Sequence, residues 1–592
     1  MGTKEPVSHD AYFINKQIKH EEKILTQSTN VQRLRSEREY CFFDIDGTVH
    51  KCRPHFHHED YFTRFDTYVD KAEKSYAADG LPPHASNTKP SVFCKYDYTQ
   101  FHKLGPLEMH NAFQKSHIVL TNCPGELCAF DEKGLSQVLT LDKVTSIQDY
   151  SCTTDSESDS SDSEQDGSHE PKRSIPKTCQ GRFQEVLENA VLGVKGKILN
   201  ALDLPLLKDY IQIPSLSTDH YSWIQAKGEH LWPLSTPYPT GDMRWALAGT
   251  ADTLTFCHID CNGLSTGVQI LCGAKVWFIL HKENSLSAEH IESYIGENFQ
   301  LDYMPESSDY DVEAVYLRPG DMLLMRPNTP HLVYGPEHTI CKGFHFHTTG
   351  TMPEAATGTM HTFVLHEYLT NTQHTVSHII VLRMLTVYYN TLVEGRKADD
   401  EFHIPDISTW KGLLSLMSVC NLAIMGNVLD FRTYLGQNQT PEEVIGDIQQ
   451  QLIERFDCNN IPYTERIWFS YGRGMALVIL EAINECCVIQ ESGSNDIVAS
   501  LPMRHLARQM VALKAYKLKA ESANLPGAAH CFSPSLQVQL ECLSACTPEL
   551  HEYFRWPEKI DLDTSSISFP VNTNYVVSWR KSLSSWQEGK GC

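Results

Sequence analysis

His258 and Asp260, two residues apart in TLTFCHID, and His331, in RPNTPHLVYG, are the residues whose types and spacing point most directly to chemistry. Two imidazoles and one carboxylate can occupy three corners of an octahedron and leave three open. That arrangement suits Fe(II) that must also hold a chelating co-substrate and O₂. In an extended segment residues i and i+2 share a face, so His258 and Asp260 can grip one ion while Ile259 turns away. His331 then arrives from a strand far along the chain, as in a barrel with an open mouth.

Thr255 stands three residues before His258, and Lys275 stands fifteen after Asp260 in the apolar run GVQILCGAKVWFIL. Further on come LRPGDMLLMRPNTPHLVYG and KGFHFH. Together these residues resemble the JmjC family of Fe(II)- and 2-oxoglutarate-dependent oxygenases over roughly residues 180–350, most closely the divergent JmjC-domain proteins of fungi. The resemblance implies an α+β chain built on a double-stranded β-helix, a jelly-roll or cupin-like barrel, with a C-terminal all-helical domain. It implies that His258, Asp260 and His331 are the catalytic Fe(II) ligands, that Lys275 pairs with the distal carboxylate of 2-oxoglutarate, and that Thr255 hydrogen-bonds to it. Gly343-Phe344-His345-Phe346 departs from the Gly-Gly-Asn-Phe of many members, and His345 is expected there as a co-substrate-binding hydrogen-bond donor.

The activity implied is that of a dioxygenase, an oxidoreductase that couples decarboxylation of 2-oxoglutarate to succinate with hydroxylation of a protein substrate. Formaldehyde is released if the carbon attacked is an N-methyl. Methyl-lysine on a histone, and with it a chromatin regulator in the nucleus, rests on family analogy alone. The rival reading is a non-catalytic JmjC scaffold, a transcription-associated interaction protein that binds partners through its helical half and acidic insert. A cupin-like metal protein that ignores 2-oxoglutarate is a third, disfavoured by Thr255 and Lys275.

At 592 residues the chain is too long for one core. Its net charge of −24 opposes direct nucleic-acid binding, because phosphates would be repelled, and fits a basic protein partner. The N-terminus lacks an apolar leader core and no apolar run is long enough for a membrane span, so a nuclear or cytoplasmic protein is expected. Nineteen scattered cysteines without a CxxC pair read as reduced thiols.

The composition divides the chain into a flexible lead (1–40), a β-rich extension packed on the barrel (41–150) and an acidic, Ser-rich disordered insert (151–178). The barrel (179–352), a helical domain (353–530) and an irregular tail (531–592) follow. The strand signal MRWALAGTADTLTFCHID leads to the metal, and three- and four-residue apolar spacing after Gly350 marks helices. A helical excursion is expected in HKENSLSAEHIESYIGENF and a helix start at Thr440-Pro441. That helical half carries no chemistry visible in the sequence and is expected to buttress the barrel.

Two further motifs compete for attention. Asp44-Ile45-Asp46-Gly47-Thr48 matches a phosphatase nucleophile motif, and Thr121-Asn122 could serve as its second element, but a strand followed by an Asp-Gly turn is the stronger reading. Cys52, His55, His57 and His58 have ligand chemistry at short spacing, yet no second ligand pair lies nearby, and a polar loop is expected.

Overall fold

The structure, a computed structural model, describes residues 32–86, 88–154, 175–206, 213–229, 232–281, 310–365, 374, 376–434, 461–493, 497–522, 533–545, 547, 550 and 575–589. Near the N-terminus β1 (Leu34–Arg35) pairs with β4 (His55–Phe56), and β2 (Tyr40–Phe43) forms a hairpin with β3 (Val49–Cys52). The strands β5 (Phe93–Asp97), β6 (His117–Thr121), β7 (Val144–Thr154), β8 (Ile175–Arg182) and β9 (Leu199–Pro205) follow. Then come β10 (Arg244–Gly249), β11 (Thr253–His258), β12 (Ser265–Cys272), β13 (Lys275–His281) and β14 (Asp311–Leu317). The series continues with β15 (Met322–Met325), β16 (His331–Gly335) and β17 (Thr339–Phe346), and β18 (Cys487–Glu491) pairs with β19 (Tyr575–Trp579).

Thirteen of these strands make two sheets. One has nine strands in the order β5-β6-β15-β12-β17-β10-β9-β7-β8, and the other has four, β11-β16-β13-β14. From β10 to β13, and again from β14 to β17, successive strands alternate between the two sheets.

Side-chain alternation shows what lies between the sheets. In β13, Val276, Phe278 and Leu280 join one apolar cluster while Trp277 and Ile279 join another. The second cluster also takes Leu247 of β10, Val268 and Ile270 of β12, Leu323 and Met325 of β15 and Cys341 of β17, so it is fed by both sheets. A strand buried on both faces reads in sequence as a continuous apolar run, which is why KVWFIL shows no polar alternation.

The outer face of the four-stranded sheet is covered by helix Glu59–Lys74, whose Phe65 meets Phe278 at 5.9 Å and Tyr334 at 4.7 Å between ring centroids. The same cluster runs on without a break into Leu385, Leu416 and Ile479 of the C-terminal helices, so the helical half shares a core with the sheets. Helices Pro106–Lys115 and Gln184–Leu192 cover parts of the large sheet through Phe113 and Val186.

Several expectations are corrected. The lead is shorter than 1–40, because Arg33 is already fixed by an ion pair to Asp252 at 3.3 Å; residues 1–31 lie outside the described residues. The extension 41–150 mixes helix with strand, and NCPGELCAFDEKGLSQVLTL forms no strand but a loop and the short helix Glu132–Leu135. Its glycines, acids and asparagine supply turns more readily than a pleated face.

The insert's flanks are not loop: β7 runs to Thr154 and β8 starts at Ile175, paired as a hairpin, while 155–174 lie outside the described residues. The metal-side strand signal proves to be two strands in different sheets, β10 and β11, broken at the positive-φ residue Asp252. The tail contains β19 and the helices Ser533–Ala545 and Leu583–Gly589, and β18 interrupts the helical half. The expected excursion after His281 and the helix start at Thr440 fall outside the described residues. No described helix is long and apolar enough to cross a membrane.

Candidate metal centre

Asp260, just beyond the end of β11, and the two histidines converge at one end of the inter-sheet core. Ligand atoms of His258, Asp260 and His331 lie within 4.8 Å of one another, and they are the one such group among the described residues. His258 and His331 are directly opposed across β11 and β16. The register of that pair shifts between Thr255 and His258, which marks a β-bulge. The bulge has a defined consequence: Thr255 and His258 are an odd number of residues apart and could not share a face of a regular strand, yet both line the same cavity.

Each imidazole is oriented by a backbone carbonyl. His258 Nδ1 donates to Phe256 O at 2.8 Å and His331 Nδ1 to Thr329 O at 2.9 Å, which leaves both Nε2 atoms as lone-pair ligands. Both Nε2 atoms stand 3.9 Å from Asp260 Oδ1. Burial, reinforced by His331, holds His258 down to about 4, so it is neutral near pH 7. Burial pushes the Asp260 carboxyl up, but His331, His345, His258 and the Thr266 hydroxyl outweigh it and keep it below the usual carboxylate range. Three acceptors facing one point with no donor between them are satisfied by a cation, so the donor set fits a divalent metal.

The loops that carry the ligands rest on helix Met352–Leu365. Gly263, with φ +60°, follows Asp260 and lies so close to this helix that a Cβ would fall 2.0 Å from Ala355 O. Asn262 N donates to Thr362 Oγ1 at 2.8 Å. Ahead of His331, Arg326 pairs with Glu354 at 2.7 Å and Asn328 Oδ1 lies 2.8 Å from His361 Nδ1. The helical half is therefore a brace for two of the three candidate ligands.

The cavity beside the triad has a volume of about 70 Å³. A single water needs roughly 10–15 Å³ by this measure, so there is room for a small organic molecule. Lys275, 1% exposed, lines it together with Thr255. Its ammonium donates to Thr253 Oγ1 at 3.2 Å rather than pairing with a carboxylate, and no salt bridge to it occurs among the described residues. Burial lowers its pKa. A fixed cation with one neutral partner at the wall of a cavity is a ready site for an anion.

The cavity lining also includes residues not singled out by the sequence. Trp245 packs 5.7 Å from the His345 ring, and His374 packs 4.5 Å from it. His374 belongs to the helical half, so the reading of that half as devoid of site residues is corrected. Asp203 also lines the cavity, from a position with φ +52° beside the shift in β9–β10 register. Only that shift marks it, and nothing in a sequence signals a bulge at Asp203.

The remaining motifs do not assemble into sites. Asp44 Oδ1 accepts the Asp46 and Thr48 amides at 2.9 Å, an Asx turn that closes the β2–β3 hairpin, and Arg318 pairs with Asp44 and Asp46 at 3.0 and 3.3 Å. Lys95 also pairs with Asp46, and Asn122 donates to Asp97. His57 Nε2 accepts the Ile198 amide and His55 faces Asp252, so Cys52, His55, His57 and His58 form no ligand cluster among the described residues. No family model matches the chain, and no curated protein matches it.

Proposed function

We propose that the chain is a JmjC-type Fe(II)- and 2-oxoglutarate-dependent dioxygenase acting on a protein substrate. The observation that carries this reading is Lys275, a buried ammonium with no carboxylate partner among the described residues, in the cavity that also receives the His258, Asp260 and His331 ligand atoms. A metal site alone has no use for such a lysine; a co-substrate with a metal-chelating end and a distal carboxylate does. The alternation between two sheets from β10 to β13 and again from β14 to β17 supports reading these strands as the double-stranded β-helix of that family.

On this reading His258, Asp260 and His331 hold Fe(II), which when bound supplies activation of O₂ against 2-oxoglutarate. Lys275 receives the distal carboxylate, and Thr253 aims its ammonium. Trp277, Val268 and Leu323 keep the inner wall apolar, which strengthens that charge pair by excluding water. Trp245 in the cavity lining offers an aromatic face, suited to a cationic side chain. With the net charge of −24, this favours a basic substrate, of which methyl-lysine in a histone is the instance the family suggests.

Anaerobic titration of the protein with Fe(II) and then 2-oxoglutarate tests the reading. A weak visible charge-transfer band should grow with the co-substrate, and succinate should form on admitting O₂ with substrate. Bound iron with no band and no calorimetric signal for 2-oxoglutarate would reject it.

A further inference from the structure

The two carboxylate oxygens of Asp260 have different tasks. Oδ1 is the oxygen that faces both imidazole Nε2 atoms, whereas Oδ2 accepts a hydrogen bond from Thr266 Oγ1. A carboxylate in this state can only accept, so the hydroxyl proton of Thr266 is committed to Asp260. Thr266 Oγ1 must then accept at its other contact, His345 Nδ1, 3.0 Å away. The direction of the chain follows: His345 carries its proton on Nδ1 and leaves Nε2 unprotonated.

The link is part of the sheet register. Thr266 and His345 are directly opposed in β12 and β17, and both are buried, at 5% and 6% exposure. Arg244 Nη1 donates to the backbone oxygen of His345 at 3.0 Å, and Trp245 and His374 pack against the imidazole at 5.7 and 4.5 Å between ring centroids, so backbone and ring are both held. An Asp260 carboxylate free to rotate could chelate with both oxygens and take a position that the co-substrate or O₂ needs. Holding Oδ2 prevents that.

We propose that Thr266 and His345 are positioning residues that keep Asp260 a one-oxygen metal ligand, and that His345 gives its Nδ1 proton to Thr266 rather than donating to the co-substrate. This rests on the metal reading of the triad. It also explains how the departure from Gly-Gly-Asn-Phe is accommodated: the imidazole serves the ligand shell, and Lys275 is left as the cavity's fixed anion anchor.

The test uses Co(II) as probe on the full chain, read by calorimetry and by visible d–d absorption, which reports coordination number without turnover. Thr266→Val should weaken Co(II) binding about tenfold to hundredfold, the usual effect of losing an outer-sphere partner, and alter the d–d spectrum. Thr266→Ser should restore the parent's affinity and spectrum. His345→Phe, which leaves Thr266 in place but removes its donor, should also alter the spectrum and decides the matter if the valine variant fails to fold. Parental affinity and spectrum in the valine and phenylalanine variants would overturn this inference alone. A parent that binds no Co(II) would overturn it together with the metal reading.

Discussion

Lys275 Nζ donates to Thr253 Oγ1 at 3.2 Å, two residues upstream of the threonine that sequence spacing pairs with it. Thr253 in turn is opposed by Gly335 across β11 and β16. A Cβ at Gly335 would lie 2.5 Å from Thr253 Oγ1 and 3.4 Å from Lys275 Nζ, so the missing side chain is what lets hydroxyl and ammonium meet. Thr255 lines the same cavity and remains a candidate contact for the co-substrate.

Removing the ammonium tests the anion site. Lys275→Ala should lower 2-oxoglutarate affinity by about two to three orders of magnitude, since losing one partner of a buried charge pair costs roughly 3–5 kcal/mol. Affinity for Fe(II) should hardly change. Anaerobic calorimetry with iron saturating is the measurement, and equal 2-oxoglutarate affinities in parent and variant would end the oxygenase reading.

Gly335→Ala disturbs the same contact without touching a charge. Forcing a methyl against Thr253 should cost about 1–3 kcal/mol of stability. It should also weaken 2-oxoglutarate about tenfold or more, the worth of a hydrogen bond to a charged group. A variant that melts lower but binds the co-substrate like the parent would show that Thr253 does not aim Lys275.

His258→Ala, Asp260→Ala and His331→Ala should each abolish tight binding of Fe(II) or Co(II). For the parent, metal at a hundredfold excess over Kd should raise stability by about 2.7 kcal/mol, a shift each variant should lose. Metal-dependent thermal melts compare the four proteins. A full metal shift in all three variants would exclude the triad.

Acid should destabilise the metal-free protein. Burial holds His258 down to about 4, and His345 and His361 to about 3, against an ordinary 6.5. The unfolded chain binds protons at these imidazoles below 6.5 while the folded chain does not, so their stability is present above pH 6.5 and lost as pH falls toward 4 and below. Melting temperature measured from pH 7.5 to 4.5 should fall, and His361→Gln should flatten the profile. Saturating metal should steepen it, because the ligands must be unprotonated to bind. A pH-independent melting temperature would contradict the burial of these rings.

The acidic insert is expected to be dispensable for the site. Thr154 and Ile175 are paired neighbours at the end of the β7–β8 hairpin, so an Asn-Gly turn can replace 155–174 without moving either strand. Metal affinity and melting temperature should match the parent within error. A loss of either would assign the insert a role in the fold or the site.

Sequence by itself picked out the candidate ligands and the candidate anchor, because these rest on residue type and on separations that survive folding. His258 and Asp260 are two apart in extended backbone, and Lys275 follows in a run too apolar to lie at a surface, where it is found 1% exposed. The helices after Gly350 were legible through their period, as in Trp410–Ile424 and Tyr463–Cys486. Tertiary structure alone decided which side chains share the cavity. The bulge between Thr255 and His258 resets the face that β11 turns inward, and a bulge is a property of two paired strands, not of either sequence. Thr266 meets His345 through the register of β12 and β17, and Thr253 meets Lys275 through a gap left at Gly335. His374 reaches the cavity because the helical half shares a core with the sheets, a contact between segments that no local pattern encodes.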